Sequence, residues 1–461
     1  MAKKLIGHPF FSIPLIIFAT MMKRVFIFIL ILLCMGNALS AQQRPWTLSQ
    51  CIEYARQNNL QVKMEEIGVE QASNSASQSK WDLAPSVNAG LSHNMSWGRS
   101  VNLQTLEIIK NKRSMSTSGN LSASATLFGG FSKTNAIKSN MTSLKIAEQQ
   151  LEKIKNDITI QITRAYLQLL LSREIERSAQ ESCKSTEQQV ERTAKLVDAG
   201  SQAYSTLLEV KAQLANEKSQ LVAAQGDVRT NKLTLMQLLE LPQEEENSFE
   251  VQAPSEDKDQ LYLIEDVETI YRKALDLPQV KIAEYNLEKS KYDYKSILGR
   301  MMPSLSVQAG YGSYYTDGQS GAFFTQFEHN KNPSVGFSLN IPVFNGLSAR
   351  MAARNASLAR QSNAIMLELQ KQSLFKEIQS AHNEAVNSLE RMNAAMENML
   401  SIQESFTYTE NKFNVGMMNA TDYNIAKTNL FKAISAYYQA KYQYLFQLKI
   451  LDFYKGKSIA L

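Results

Sequence analysis

The sequence predicts an α+β membrane protein: mostly long α-helices plus four β-strands, laid out as an internal tandem repeat. Three observations predict it. A helix–tip–helix pattern occurs twice, about 216 residues apart. Four runs alternate apolar with small polar residues, and they come in two pairs. Two stretches, from about 131 to 198 and from about 347 to 414, keep a helical pattern without a single Pro.

The chain begins with a basic, apolar leader. Lys23-Arg24, the apolar run Val25 to Leu33 and the small residues Ala38-Leu39-Ser40-Ala41 read as a secretory signal. The segment 1–21 reads as an upstream extension from a wrong start codon, so residues 1–41 are set aside as leader. Cys34 follows Leu33, which is too bulky for a lipid-processing site. The leader also explains the formal charge of +5. Taking Lys3, Lys4, Lys23 and Arg24 from the 49 Lys and Arg leaves 45, against 44 Asp and Glu. A near-neutral chain lacks the basic face that nucleic acid requires. Beyond the leader no run is apolar enough for a spanning helix, so entry into a membrane would be by strands.

The first repeat covers 42–241. Thr47 or Ser49 is a candidate cap for a helix running to about Trp81, with Leu48, Ile52 and Ala55 on one face. Its counterpart in the second repeat, 263–455, runs from about Asp266 to Leu298. Strands follow each helix. Val87, Ala89, Leu91, His93, Met95 and Trp97 alternate with Ser, Asn and Gly; so do Leu121 to Leu127, Leu305 to Tyr311, and Val335 to Ile341. Each run is about ten residues, the length of a tilted membrane-crossing strand. Trp97, Tyr311, Tyr314, Tyr315, Phe323 and Phe324 gather near their far ends, as an interfacial girdle would. The connections from Arg99 to Met115 and from Thr316 to Pro333 read as long polar outer loops.

A long helix follows each strand pair, on the order of 100 Å at about 1.5 Å per residue. Each ends at a tip and returns as a shorter helix, to about Leu239 and Tyr454. At the tips, Asp198-Ala199-Gly200-Ser201 aligns with Asn414-Val415-Gly416-Met417. Gly ends each long helix cheaply in a left-handed cap, and Asn419, Thr421 and Asp422 supply start signals for the next. Phe128-Gly129-Gly130 aligns with Phe344-Asn345-Gly346 in the same register, and Pro85 with Pro303 after a two-residue slip. Residues 242–262, with Pro242 and Glu244 to Glu246, form an acidic linker between the repeats; 456–461 is a short tail.

Four strands cannot close a barrel, and an open sheet edge in lipid would cost several kcal/mol per unpaired group. The chain must therefore oligomerise into a hollow tube, strands at one end, helices beyond, hairpin tips at the far end.

In the duplicated halves, Pro85 and Pro303, the two Phe-x-Gly turns, and the tip Phe413-Asn414-Val415-Gly416 with Asp422, the chain resembles the TolC-like outer-membrane efflux protein family over about 46–454. The resemblance implies a homotrimer with a twelve-stranded transmembrane β-barrel in outer-membrane lipid and a periplasmic helical barrel. It implies a passive exit duct for efflux or type I secretion, docked by its tips onto a periplasmic adaptor (membrane fusion) protein and an inner-membrane pump of RND or ABC type. Ala199, Gly200, Val415 and Gly416 become adaptor-contact residues. Asp198, Phe413, Met417, Met418 and Asp422 become candidates for a closed tip gate. At the first tip Thr206 stands where the second has Asp422, so the acidic residue is kept once.

Little supports catalysis. His93, His329 and His382 are scattered, and no His-Glu-x-x-His spacing or phosphate loop occurs. No cofactor or metal ligand set is expected, and Cys51 and Cys183 read as unpaired apolar side chains. The rival class is a periplasmic coiled-coil adaptor or scaffold without a channel. Such a protein would carry one hairpin beside a soluble module, whereas this chain has two hairpins.

Overall fold

The computed structural model describes residues 45–101, 105, 107–246, 248–253, 264–457 and 459. The leader with its cleavage site, 254–262 of the linker and residue 263 lie outside them. Helices α1 (Leu48–Asn58) and α2 (Leu60–Trp81) precede the hairpin β1 (Ser86–Val101) and β2 (Ile108–Gly129). Then come the long α3 (Ser132–Asp198) and its return α4 (Tyr204–Leu238). The second half repeats the order: α5 (Val267–Ala274), α6 (Pro278–Gly299), β3 (Ser304–Thr316), the short α7 (Phe323–His329), β4 (Asn332–Asn340), α8 (Ser348–Asn414) and α9 (Ala420–Tyr454). Both long helices have 67 residues and both returns have 35.

Three expectations need correction. The first helix is two helices. Asn59 leaves the helical region, accepts from Gln61 N–H through Oδ1 (2.9 Å), and donates from Nδ2 to Leu238 O on α4 (3.1 Å). An Asn side chain that caps competes with helix continuation. The α5–α6 stretch also breaks, because Pro278 takes the first position of α6, where its missing N–H costs nothing. Finally, most of the expected outer loop from Arg99 to Met115 is strand: β1 runs to Val101 and β2 starts at Ile108. The second connection holds α7 in place of an open loop. The strands accordingly run 16, 22, 13 and 9 residues, not ten each.

The expected cap does form. Gln50 N–H donates to Thr47 Oγ1 (3.2 Å) and Thr47 N–H to Gln50 Oε1 (3.0 Å), a reciprocal capping box. The largest core lies midway along the helices, where α1, α3 and α4 bury Leu48, Ile162, Leu169, Leu235 and Met236. There the chain start and the linker are stitched together. Trp46 N–H donates to Glu250 O (2.7 Å), Gln252 N–H to Trp46 O (2.9 Å), and the buried Tyr166 hydroxyl to Gln252 O (2.6 Å). A second core joins Ile270, Val280, Leu374, Ile378 and Leu451. Cys51 and Cys183 are buried free thiols.

Candidate functional site: sheet wall and hairpin tips

The sheet is antiparallel in the order β1-β2-β3-β4. Opposite residues in an antiparallel pair share a face, so the register fixes two continuous surfaces. Val87, Ala123, Ala309 and Val335 lie on one, as do Ala89, Leu121, Tyr311 and Pro333, and Val307 with Phe337. The other carries Ser86, Ser124, Gln308 and Gly336, then Asn88, Ser122, Gly310 and Ser334. The apolar face is uncovered: Val335 is 72% and Phe337 71% exposed. No Asp, Glu, Lys or Arg stands on the polar face between Ser86 and Ser96 or along β3 and β4. An outward apolar face and an inward uncharged one are what a barrel wall in lipid requires. Among the described residues the outer edges of β1 and β4 carry no strand.

At the end away from the helices, α7 folds onto the apolar face. The Phe327 ring lies over Gly119, on the side where Leu91 points, and Phe323 stacks on Phe327 and meets Tyr315. Near it on the same face His93 Nδ1 meets Thr117 Oγ1 (2.7 Å). Buried Gln326 fastens the segment: it accepts from Thr316 N–H (3.0 Å) and donates to Gln319 O (2.8 Å) and Gly321 O (3.0 Å). Phe324 is left fully outward.

The tips are built alike. Gly200 (φ 73°) and Gly416 (φ 77°) take the left-handed conformation. Ser201 N–H reaches back to Leu196 O and Met417 N–H to Lys412 O, both 2.9 Å, closing the last turns. Ala199, Gly200, Val415 and Gly416 are exposed on these turns. The five gate candidates divide. Phe413, 4% exposed, stacks on Tyr423 at 4.5 Å and packs with Val210, Ala420 and Met418, holding the two hairpins together. Asn419 caps α9, and Asp422 sits in its first turn: Asp422 N–H donates to Asn419 Oδ1 (2.7 Å) and its carboxylate accepts from Asn419 Nδ2 (2.9 Å). Asp198 and Met417 point into solvent, free to reach another molecule. Arg192 of α3 donates to Asn414 Oδ1 (2.8 Å), tying one tip to the other.

A buried charged cluster above the tips was not anticipated. Lys427 (6% exposed) on α9 faces Glu217 (4%) on α4 at 3.3 Å, and both bond Thr186 on α3. Lys427 Nζ also donates to Ser182 O (2.8 Å), and Gln213 Nε2 to the second Glu217 oxygen (2.9 Å). Burial pulls the Lys427 pKa below the usual lysine value, against the pull of the Glu217 carboxylate. Its repeat counterpart Lys211 is exposed, so the doubled sequence gave no sign of it. Nearby, burial pushes the Tyr423 phenol up to about 12. Among the described residues no group of three or more His, Cys, Asp or Glu could hold a metal ion.

The model of the family described as outer membrane efflux protein matches residues 51–240 and 270–457. The outer membrane protein TolC of Escherichia coli is 22% identical over 418 residues, 89% of this chain and 82% of that protein. The alkaline protease secretion protein AprF of Pseudomonas aeruginosa is 24% identical over 177 residues, 38% of this chain; the match spans about a third (34%) of AprF's length. Among solved structures, CusC, described as forming a transmembrane channel, superposes with a TM-score of 0.75 at 17% identity, over 91% of this chain and 96% of that one.

Proposed function

The chain belongs to the outer membrane efflux protein family, and from that premise we propose that it is the outer-membrane exit duct of a tripartite efflux or type I secretion system. It passes small molecules or polypeptides passively out of the periplasm and performs no chemistry of its own. The observation that carries this reading is the sheet: an exposed apolar face, an uncharged hydroxyl- and amide-lined opposite face, and two unpaired edges. Backbone edges cannot remain open in lipid, and spanning barrels need about eight strands or more. Three copies of a four-stranded sheet give twelve. The helices support the same ring. Buried residues recur along the whole of α3, whereas α8 between Ser388 and Phe413 buries none, leaving a flank for a neighbouring copy.

The membrane band follows from strand length. From Thr117 to Gly129 is roughly 40 Å of strand at about 3.4 Å per residue, or about 30 Å of height at barrel tilt. The α7 segment with Phe323 and Phe324 thus marks the outer lipid interface. At the opposite end, the exposed turns at Ala199-Gly200 and Val415-Gly416 meet the periplasmic adaptor, which links to an RND- or ABC-type pump. Asp198 and Met417 project from the tips toward neighbouring copies, while Phe413, Met418 and Asp422 hold the hairpins in shape behind them. The rival adaptor reading would place the apolar sheet face in water, at the cost of its burial.

Extraction and reconstitution test this. The mature chain should require detergent, run as a trimer and add ion conductance to a planar bilayer. A monomer soluble in plain buffer, without conductance, rules the duct out. Conductance unchanged in Asp198→Ala would remove that carboxylate from the gate.

A further inference from the structure

The two halves repeat in backbone pairing as well as in sequence. Ser86 of β1 corresponds to Ser304 of β3, 218 residues on, and Ser124 of β2 to Asn340 of β4, 216 residues on. In the sheet Ser86 pairs with Ser124, and Ser304 pairs with Asn340. The two hairpins therefore share one register, residue for residue. The β2–β3 pairing is then the pattern by which the second strand of one unit meets the first strand of the next. There Ala123 faces Ala309 and Ser122 faces Gly310.

We propose that the free edge of β4 pairs antiparallel with β1 of a second copy of this chain in the register set by that junction: Leu339 opposite the partner subunit's Leu91, and Ser338 opposite the partner subunit's Ser92. The proposal rests on the closed-barrel reading above and adds the seam to it. Every transferred pair keeps its face. Val335, Phe337 and Leu339 meet the positions of Met95, His93 and Leu91, all on the apolar side. Ser334, Gly336, Ser338 and Asn340 meet those of Ser96, Asn94, Ser92 and Gly90, all on the polar side. A slip of one residue would set apolar against polar across the seam, which opposite positions do not allow. A slip of two would keep the faces but break the repeat.

The register also accounts for an unequal pair of strands. β2 pairs with β3 as far as Gly129, but β4 stops at Asn340. The missing partners of 341–345 are the second copy's residues 86–89. In the single chain Val343 and Phe344 accordingly stand 91% and 80% exposed. At the outer end, Asn332 falls opposite the position of Gly98, where β1 bulges away.

Thiol crosslinking of the full chain in outer-membrane vesicles tests the register. Ser92 and Ser338 lie on the water-facing side, open to a short bifunctional thiol reagent, while native Cys51 and Cys183 are buried. S92C/S338C should convert most of the chain to covalent dimers and trimers, and neither single variant should. S306C/S338C, across an existing pairing, should crosslink within one chain. N94C/S338C, two residues out of register, should leave the chain monomeric on a denaturing gel. If N94C/S338C crosslinks between chains and S92C/S338C does not, the register is overturned while the trimeric barrel stands. If no variant crosslinks between chains and the protein is monomeric in detergent, the barrel reading falls and the seam with it.

Discussion

Gly130 and Gly299 meet backbone against backbone where α6 ends and α3 begins. A Cβ on Gly130 would lie 2.2 Å from Gly299 O, and one on Gly299 would lie 2.4 Å from Gly130 O and 2.8 Å from Ser132 N. Beside them Ser296 Oγ donates to Ser132 O (3.0 Å), so the chain leaves the sheet for the long helix through a clamped junction. Gly299→Ala must push backbone, not a flexible side chain, and should cost about 1–3 kcal/mol. Gly346→Ala meets open space and bears chiefly its left-handed φ of 65°, a cost of about 1–2 kcal/mol. The midpoint of heat-induced trimer dissociation should therefore fall further for Gly299→Ala. Equal midpoints would mean that the junction yields. At the proposed seam between copies Trp81 would stand at the position of Gly299, so that approach would not be repeated there.

Lys427 and Glu217 form a buried pair joining both hairpins. Lys427→Ala leaves a buried carboxylate without its cation and should cost about 3–5 kcal/mol. Lys427→Met with Glu217→Leu removes both charges and should recover most of that loss. Denaturant unfolding of Lys427→Met, Glu217→Leu and the double would give a coupling well outside additivity. Additive losses would make the pair two independent contacts.

The membrane wall was legible in the sequence because period-2 alternation needs only local spacing, and the tips were legible because Gly200 and Gly416 carry a backbone requirement that few residues meet. The helix break at Asn59 was not: its cap depends on Leu238, 179 residues away. Pro278 could have been read as a helix start, since its ring marks the first turn. The polar run before Met115 suggests a loop by composition, yet it extends β2 above the membrane band, where polar side chains suit both faces. The Thr186–Glu217–Lys427 cluster draws one residue from each of three helices, and nothing in linear spacing brings them together.

Several helix-barrel side chains ionise above their usual range because they are buried. Burial raises the Tyr166 and Tyr442 phenols strongly, and pushes Tyr423 and Tyr454 up to about 12. In the unfolded chain such phenols lose their protons near pH 10. Between about pH 10 and 12 the unfolded state thus binds fewer protons, so stability falls as pH rises; below pH 10 these groups contribute no slope. Helicity followed by circular dichroism should be flat with pH to about 9.5 and then decline steeply, and Tyr423→Phe should soften the decline. The Cys51 thiol, pushed up to about 12 by burial, should resist alkylation at pH 8.5 until the helices unfold. Rapid labelling in the folded protein would show that the midway core opens.

Gln326 gives α7 its position, since its side chain satisfies Thr316 N–H, Gln319 O and Gly321 O from a buried site. Gln326→Leu keeps the volume but leaves those groups unpaired, at about 1–3 kcal/mol of local stability. The loss should stay local, because the β2–β3 pairing beneath runs independently through Ser116 to Gly129. Amide exchange across 316–331 should then quicken by about ten- to a hundredfold, as local opening becomes cheaper by that amount. Trimer stability and conductance should be unchanged, since the polar face of the sheet is not touched. Unchanged exchange would mean that the ring stack of Phe323 and Phe327 over Gly119 suffices to hold the segment; lost conductance would place α7 inside the duct, against the face on which its rings lie.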